Sequence, residues 1–245
     1  MKQIRDYNEV SPLVMKYFRR GVITNNFLGA QDYRCEIDEG RLFFTQNEDS
    51  LCFFIKRDGF FKLYFHALDQ NAVFERIGEK TVCETVANGD GLMIFNGFSP
   101  IMQRVRLEKA PDSAKAEPCI AEKVDAKEIH RLLLSCFDAE TGCIPTLTRI
   151  ELDCERERIF KVTADGKIAG IVRTDTSGGT VTIRHLCVGQ DLRGKGIARR
   201  LCSMVGDEKR KVSVWTGKDN APALNLYGSL GFSECGILST VYERT

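Results

Sequence analysis

The run Val188-Gly-Gln-Asp-Leu-Arg-Gly-Lys-Gly-Ile-Ala-Arg-Arg-Leu201 joins an apolar strand pattern to a helical one through a basic, glycine-rich turn. The chemistry such a turn offers is anion binding. Glycines let the backbone come close to a bound group. The N–H groups of the first helical turn have no partner and point at that group, and the helix dipole favours negative charge there. Arg193 and Lys195 add positive charge beside those amides. A pyrophosphate is the ligand type that this combination suits. Neither the dinucleotide fingerprint G-x-G-x-x-G nor the P-loop G-x-x-x-x-G-K-[ST] occurs in the run.

Other elements must hold that turn in place. Residues 180–188 read as the strand ahead of it, and 197–205 as the helix behind it, with Leu201 and Val205 among its apolar positions. Upstream, 119–124 reads as a short strand. Asp125 and Glu128 form a variant capping box for a helix that carries Ile129, Leu132, Leu133 and Cys136 on one face. A second helix is expected from near Thr146, with Leu147, Ile150 and Cys154 as its apolar face. Strands are expected at 159–163 and 168–174, joined by the hairpin signal Asp165-Gly166, and Ser177-Gly178-Gly179 turns the chain into 180–188. Downstream come a strand at 211–216, a helix at 221–230 and a long strand at 232–242. A meander followed by helix–strand alternation predicts an α/β (α+β) fold, a mixed and mostly antiparallel sheet flanked by helices.

Arg193, Gly196 and Ala198 fill the pattern [QR]-x-x-G-x-[GA]. Further on, Asn220-Ala-Pro-Ala-Leu-Asn-Leu-Tyr227-Gly-Ser-Leu-Gly231-Phe232 sets an Asn before a helix, a Tyr near its end and a Gly-Phe step into the last strand. In this order and at this separation the two segments resemble the motifs of the GNAT-type N-acetyltransferase superfamily, over roughly residues 118–245. The resemblance implies an acyltransferase that moves acetyl directly from acetyl-CoA, its cosubstrate, to a primary amine of a small molecule or peptide. It implies that the backbone of Leu186, Cys187 and Val188 pairs with the pantetheine arm. An N–H near Cys187 or Val188 would polarise the thioester carbonyl. The amides of Arg193, Gly194, Lys195, Gly196, Ile197 and Ala198 would hold the pyrophosphate.

The same resemblance assigns roles further along. Tyr227 matches the general acid; a phenol of pKa about 10 can protonate a departing thiolate while staying neutral at pH 7. Its structural alternative is a tyrosine covering the core. Asn220 caps the helix that follows it, and its position in the family also contacts the coenzyme. The family's base is often a Glu on the central strand, but 180–188 holds no carboxylate. His185, with a reference pKa of about 6.5, is the catalytic candidate there, against the reading of a structurally satisfied histidine. Asp138, Glu140 and Glu151 read first as solvated helix ends or loop and only second as acceptor-side carboxylates. Direct transfer leaves Cys187 no nucleophilic part. Trp215 lies on the opposite face from Val212 and Val214, as core or cleft lining. Without a firm base, a non-catalytic acyl-CoA-binding regulatory protein is the alternative function.

Composition bounds the rest. With 35 Lys+Arg against 34 Asp+Glu, the chain lacks the basic surplus of a nucleic-acid partner. No apolar run approaches the roughly 20 residues of a membrane span. The opening Met1-Lys-Gln-Ile-Arg-Asp has no apolar secretory core. The ten cysteines are therefore expected to be reduced thiols of a cytoplasmic protein. His66, His130 and His185 are too scattered for a metal site, so none is expected.

The Pro-rich stretch 111–118 reads as a linker between two domains, 1–110 and 119–245. In the first, 42–45, 51–56 and 60–66 read as strands with Asp58-Gly59 as a hairpin turn, 68–77 as a helix, and 81–86 and 92–95 as strands. Gly97-Phe98-Ser99 repeats Gly231-Phe232-Ser233. This order predicts tandem GNAT-like domains, the first a degenerate copy without the coenzyme loop, since 66–73 holds no glycine, Arg or Lys. Packing, homodimer formation or one wall of the acceptor site are the roles open to it. Its phenylalanines (Phe43, Phe44, Phe53, Phe54, Phe60, Phe61, Phe65) are read as core.

Overall fold

The computed structural model describes residues 1–18, 21–69, 72–89 and 97–245. In chain order the elements are β1 (Lys2–Gln3), α1 (Val10–Met15), β2 (Ile23–Thr24), α2 (Ala30–Asp38), β3 (Leu42–Gln46), β4 (Ser50–Arg57), β5 (Phe60–Ala67), β6 (Thr81–Asn88), β7 (Ser99–Lys109), α3 (Ala126–Cys136), α4 (Leu147–Glu155), β8 (Ile159–Ala164), β9 (Lys167–Ser177), β10 (Thr180–Val188), α5 (Ile197–Ser203), β11 (Lys211–Gly217), α6 (Ala221–Ser229) and β12 (Ser233–Arg244). They form two compact units, Met1–Gln103 with Leu238–Thr245, and Arg104–Ile237. The boundaries fall inside β7 and β12. Residues 111–118 lie within the second unit, where the Lys115 and Ala116 amides donate to the Ser203 carbonyl (2.8 and 3.0 Å). Gly206 makes room for this strap, because a Cβ there would meet the Ala114 nitrogen at 2.4 Å.

In the first unit β3, β4 and β5 form an antiparallel meander, and β6 then pairs parallel to β5 over Phe61–Leu63. Phe53 and Phe54 are fully buried on opposite faces of β4, so both faces of this strand are covered. Phe61 and Phe65 are likewise core. The helix expected at 68–77 is absent from its described residues. Tertiary partners take the carbonyls a helix would need: Val73 O accepts from Asn47 (3.1 Å), Phe74 O from Arg244 (3.1 Å) and Glu75 O from Arg244 (2.8 Å). The strand expected at 92–95 lies outside the described residues. Two short helices, α1 and α2, were not signalled by the pattern.

The second unit repeats the plan. The strands β8, β9 and β10 form an antiparallel meander, and β11 pairs parallel to β10. The hairpin turn has Asp165 at φ 51° and Gly166 at φ 73°, the left-handed pair that a two-residue turn requires. α3 and α4 pack Ile129, Leu133 and Ile150 on β9 and β10. Residues 119–124 make a single bridge, Ile120–Phe160, rather than a strand. Asp125 does not cap α3 with its side chain; it accepts from the Glu122 amide (2.7 Å), and Glu128 accepts from the Ile168 amide (2.9 Å). The Gly-Phe steps share one conformation, Gly97 at φ 81° and Gly231 at φ 86°.

Candidate active site

The site in the second unit begins where two strands part. Parallel pairing of β10 with β11 ends at Ile183–Val214, whereas pairing of β10 with β9 continues to Val188–Gly170. The β11-side edge of residues 184–188 therefore runs on without its strand partner. Leu186, Cys187 and Val188 sit on that stretch.

The chain then passes Gly189 and a 3₁₀ turn, Gln190–Leu192. Gly194 (φ 78°) and Gly196 (φ 79°) take left-handed backbone conformations, and Gly196 is the N-cap of α5. The first backbone bond of α5 runs from Arg200 N–H to Gly196 O (3.0 Å), so the amides before it have no acceptor within the helix. Lys195 and Arg193 are exposed, and Arg193 Nε reaches the Val188 carbonyl at 3.5 Å. Ile197 and Ala198 open the helix. Gly170 lets α5 lie close on β9: a Cβ there would meet Cys187 O at 2.7 Å and Leu201 at 3.1 Å. Beside Gly196 a cleft of about 600 Å³ is lined by Lys109, Lys115, Arg199 and Arg200 with Ser203 and Ser229.

Asn220 caps α6, its Oδ1 accepting from the Ala223 amide at 3.2 Å. Tyr227, near the end of α6, is buried, with its ring edge-on to Phe232 (centroids 5.5 Å apart). Burial, and to a smaller degree the nearby Cys202 thiol, pushes its phenol pKa up from the ordinary value.

His185 is buried and faces α3 and α4. Its Nε2 lies 2.9 Å from the Gly142 carbonyl, which can only accept, so this nitrogen carries the proton. Its ring stands edge-on to Phe137 at 5.2 Å. Behind it the fully buried Asp153 ties α4 to β9 through Arg173 (2.6 Å) and to Arg149 (3.2 Å). Asp138 accepts from the amides of Glu140 and Thr141 (3.0 and 2.9 Å) and so shapes the loop after α3. Glu151 stands 3.9 Å from Lys123 in a partly exposed ion pair. Trp215 is half-buried, with the Arg106 guanidinium 6.0 Å from its ring centre.

Cys136, read from sequence only as part of the apolar face of α3, stands at the end of β10. Its Sγ is 3.7 Å from the Val188 carbonyl. Helical periodicity could not place it there, because the contact spans 52 positions.

Residues 155–234 match the family model described as Acetyltransferase (GNAT) domain. The second unit carries a GNAT domain. Streptothricin acetyltransferase of Streptomyces lavendulae is 33% identical over 100 residues, 38% of this chain and 53% of that protein. The [ribosomal protein bS18]-alanine N-acetyltransferase of Escherichia coli K12 is 33% identical over 96 residues, 37% of this chain and 65% of that protein. The chain thus spans between half and two thirds of the length of these relatives. Among solved structures, a GNAT-family acetyltransferase from Colwellia psychrerythraea covers 100% of this chain and 99% of its own at TM-score 0.54 and 15% identity. A GCN5-related N-acetyltransferase from Sphaerobacter thermophilus covers 89% and 86% at TM-score 0.58 and 12% identity. These likenesses extend the GNAT fold over both units. Among the described residues no His, Cys, Asp and Glu cluster could hold a metal, and no helix is long and apolar enough to cross a membrane.

The first unit differs from the GNAT domain at the matching place. Past Leu63–Cys83 its parallel strands part as well, but Asn25 fills the gap. Asn25 Nδ2 donates to Leu63 O and Glu84 O (both 3.0 Å), and its Oδ1 accepts from the Phe65 amide (2.6 Å). Next to it β2 pairs with β5 at Ala67 and His66. The chain itself occupies the edge that β10 leaves open.

Proposed function

We propose that the second unit binds acetyl-CoA and transfers its acetyl group directly to a primary amine of a small molecule or peptide. The observation that carries this reading is the open edge of residues 184–188 leading straight into the turn of Gly194 and Gly196. A pantetheine arm needs amide partners along a strand edge, and a pyrophosphate needs convergent N–H donors. The cleft of Lys109, Lys115, Arg199 and Arg200 beside Gly196 adds positive charge for the remaining phosphate.

In this reading an N–H of Cys187 or Val188 stabilises the oxyanion formed when the amine attacks the thioester. Arg193 through Ala198 hold the pyrophosphate, and Asn220 steadies the start of α6. Tyr227, kept protonated by burial, gives its proton to the departing thiolate. Calorimetry tests the first step. Acetyl-CoA should bind at one site per chain, because the first unit has neither the loop nor an open edge. Absence of binding at millimolar ligand would sink the reading.

His185 supports a positioning part rather than a base acting through Nε2, which is already bonded to Gly142. It holds the 137–146 loop against β10. His185→Gln is then expected to lower turnover equally at all pH values, whereas loss rescued at high pH would restore the base. The committed Nε2 and the lack of a carboxylate on β10 also keep the alternative of a non-catalytic acyl-CoA-binding regulatory protein in play. Release of thiol with a panel of amines decides between enzyme and binder.

A further inference from the structure

Each unit sets its Gly-Phe step beside a cation that ends a strand. In the second unit β7 lies next to β11, and a Cβ on Gly231 would meet the Cε of Lys109, the last residue of β7, at 3.9 Å. In the first unit β12 lies next to β6, and a Cβ on Gly97 would meet the Cδ of Arg244, the last residue of β12, at 3.4 Å. Lys109 and Phe232 line the basic cleft assigned above to a coenzyme phosphate. The first unit thus keeps a cation at the matching corner, although it has no coenzyme loop and its strand edge is filled.

A second cation joins Arg244 there. The same Cβ would stand 3.1 Å from Arg76 Nη2, so two arginine side chains converge on Gly97, which is exposed. Arg244 is only 5% exposed. It donates to the carbonyls of Phe74 and Glu75 (3.1 and 2.8 Å), and its guanidinium stands 4.5 Å from the centre of the Phe98 ring. Neutral carbonyls and a ring face ease the burial of a charge but do not cancel it. Among the described residues neither arginine is in an ion pair, and Glu243, next to Arg244 in the chain, is taken by Lys80 at 2.9 Å. Two like charges, one of them buried, are costly to hold together unless an anion joins them. Burial first, and then Arg76, push the Arg244 pKa down, as expected where one cation is held beside another.

We infer that Arg76 and Arg244 form a phosphate site at Gly97, taking inorganic phosphate or the phosphomonoester group of a small molecule. A guanidinium offers several N–H donors in one plane and engages phosphate oxygens in pairs. Gly97 leaves free the space beside Arg76 that a Cβ would take. The choice of phosphate among anions rests on reading the Lys109 cleft as a phosphate site; the convergence of the two arginines does not. Arg76, Gly97, Phe98 and Arg244 all belong to the first unit, which thereby has a ligand of its own, distinct from acetyl-CoA.

The test labels the full chain with phenylglyoxal, which reacts with accessible guanidinium groups, and maps the labelled arginines by peptide mass. At fixed ionic strength, millimolar phosphate should protect Arg76 and leave the exposed Arg131 unchanged. Glycerol phosphate and acetate are run beside it. Tighter protection by glycerol phosphate assigns the site to a phosphomonoester, and equal or tighter protection by inorganic phosphate assigns it to the free ion; either upholds the site. Arg244→Lys keeps the charge but loses the planar fork, and should raise the half-protecting phosphate concentration at Arg76 by about tenfold. If that variant does not fold, the parent chain decides alone. No protection of Arg76 by either phosphate, equal protection by acetate, or equal protection of Arg131 overturns the proposal. The readout lies in the first unit, so calorimetric binding of acetyl-CoA by the second stands or falls separately.

Discussion

Replacing Tyr227 by Phe is expected to lower turnover in acetyl transfer by about 10²–10⁴-fold, with acetyl-CoA affinity unchanged. The substitution removes one oxygen and keeps the ring. Because Tyr227 is buried against Phe232, packing survives the change and the loss falls on proton transfer. In free energy this is about 3–5 kcal/mol at the transition state. The direction of the pKa shift fixes the protonation state only, since burial would raise the phenol of a core tyrosine in the same way. Burial raises the phenol, so it is protonated across the whole neutral range and loses activity only on the far alkaline side. Single-turnover measurement with a saturating amine separates this step from product release. Turnover within about twofold of the parent would show that the thiolate is discharged by another group.

What could be read from the sequence was local. Gly194, Gly196 and Gly231 are glycines because their backbones are left-handed, and the residue type alone reports that. Asn220 and Thr146 cap helices through bonds to residues three positions on (3.2 Å each), which short-range patterns encode. The loop and α6 were therefore legible, and with them the family. Features that depend on distant partners were not. Residues 73–75 give up a helix to side chains from Asn47 and Arg244. The 111–118 segment reads as a linker by composition, yet it is bonded to Ser203, and only Gly206 permits that approach. His185 has a base-like pKa by type, but Gly142, 43 positions away, decides how its Nε2 is used.

The first unit illustrates the same limit. From the sequence it lacks donors for a pyrophosphate, and that alone predicts it does not take the coenzyme. The structure adds a second and independent obstacle, the side chain of Asn25 set between β5 and β6. A strand edge that parts from its neighbour leaves amides and carbonyls that must find partners. In the GNAT domain that edge stands open, as a ligand site would require. In the first unit the primary amide of Asn25 supplies two donors and one acceptor to three backbone groups. It is only 6% exposed, so water does not replace it readily.

Asn25→Ala is therefore expected to destabilise the chain by about 3–5 kcal/mol, since three backbone groups lose together the hydrogen bonds that this buried side chain makes. The measurement is urea unfolding of the full chain, followed as a drop in the midpoint of the transition assigned to the first unit. Asn25→Asp should fare no better, because it keeps the acceptor for the Phe65 amide but sets a carboxylate against the Leu63 and Glu84 carbonyls. A change below about 1 kcal/mol would mean that the parted strands are held by something other than this side chain. The same variant separates the two obstacles to coenzyme binding. If the missing loop suffices, acetyl-CoA still titrates to one site per chain after Asn25 is removed. A second site appearing in Asn25→Ala would show instead that the first unit is a coenzyme groove kept shut by its own chain.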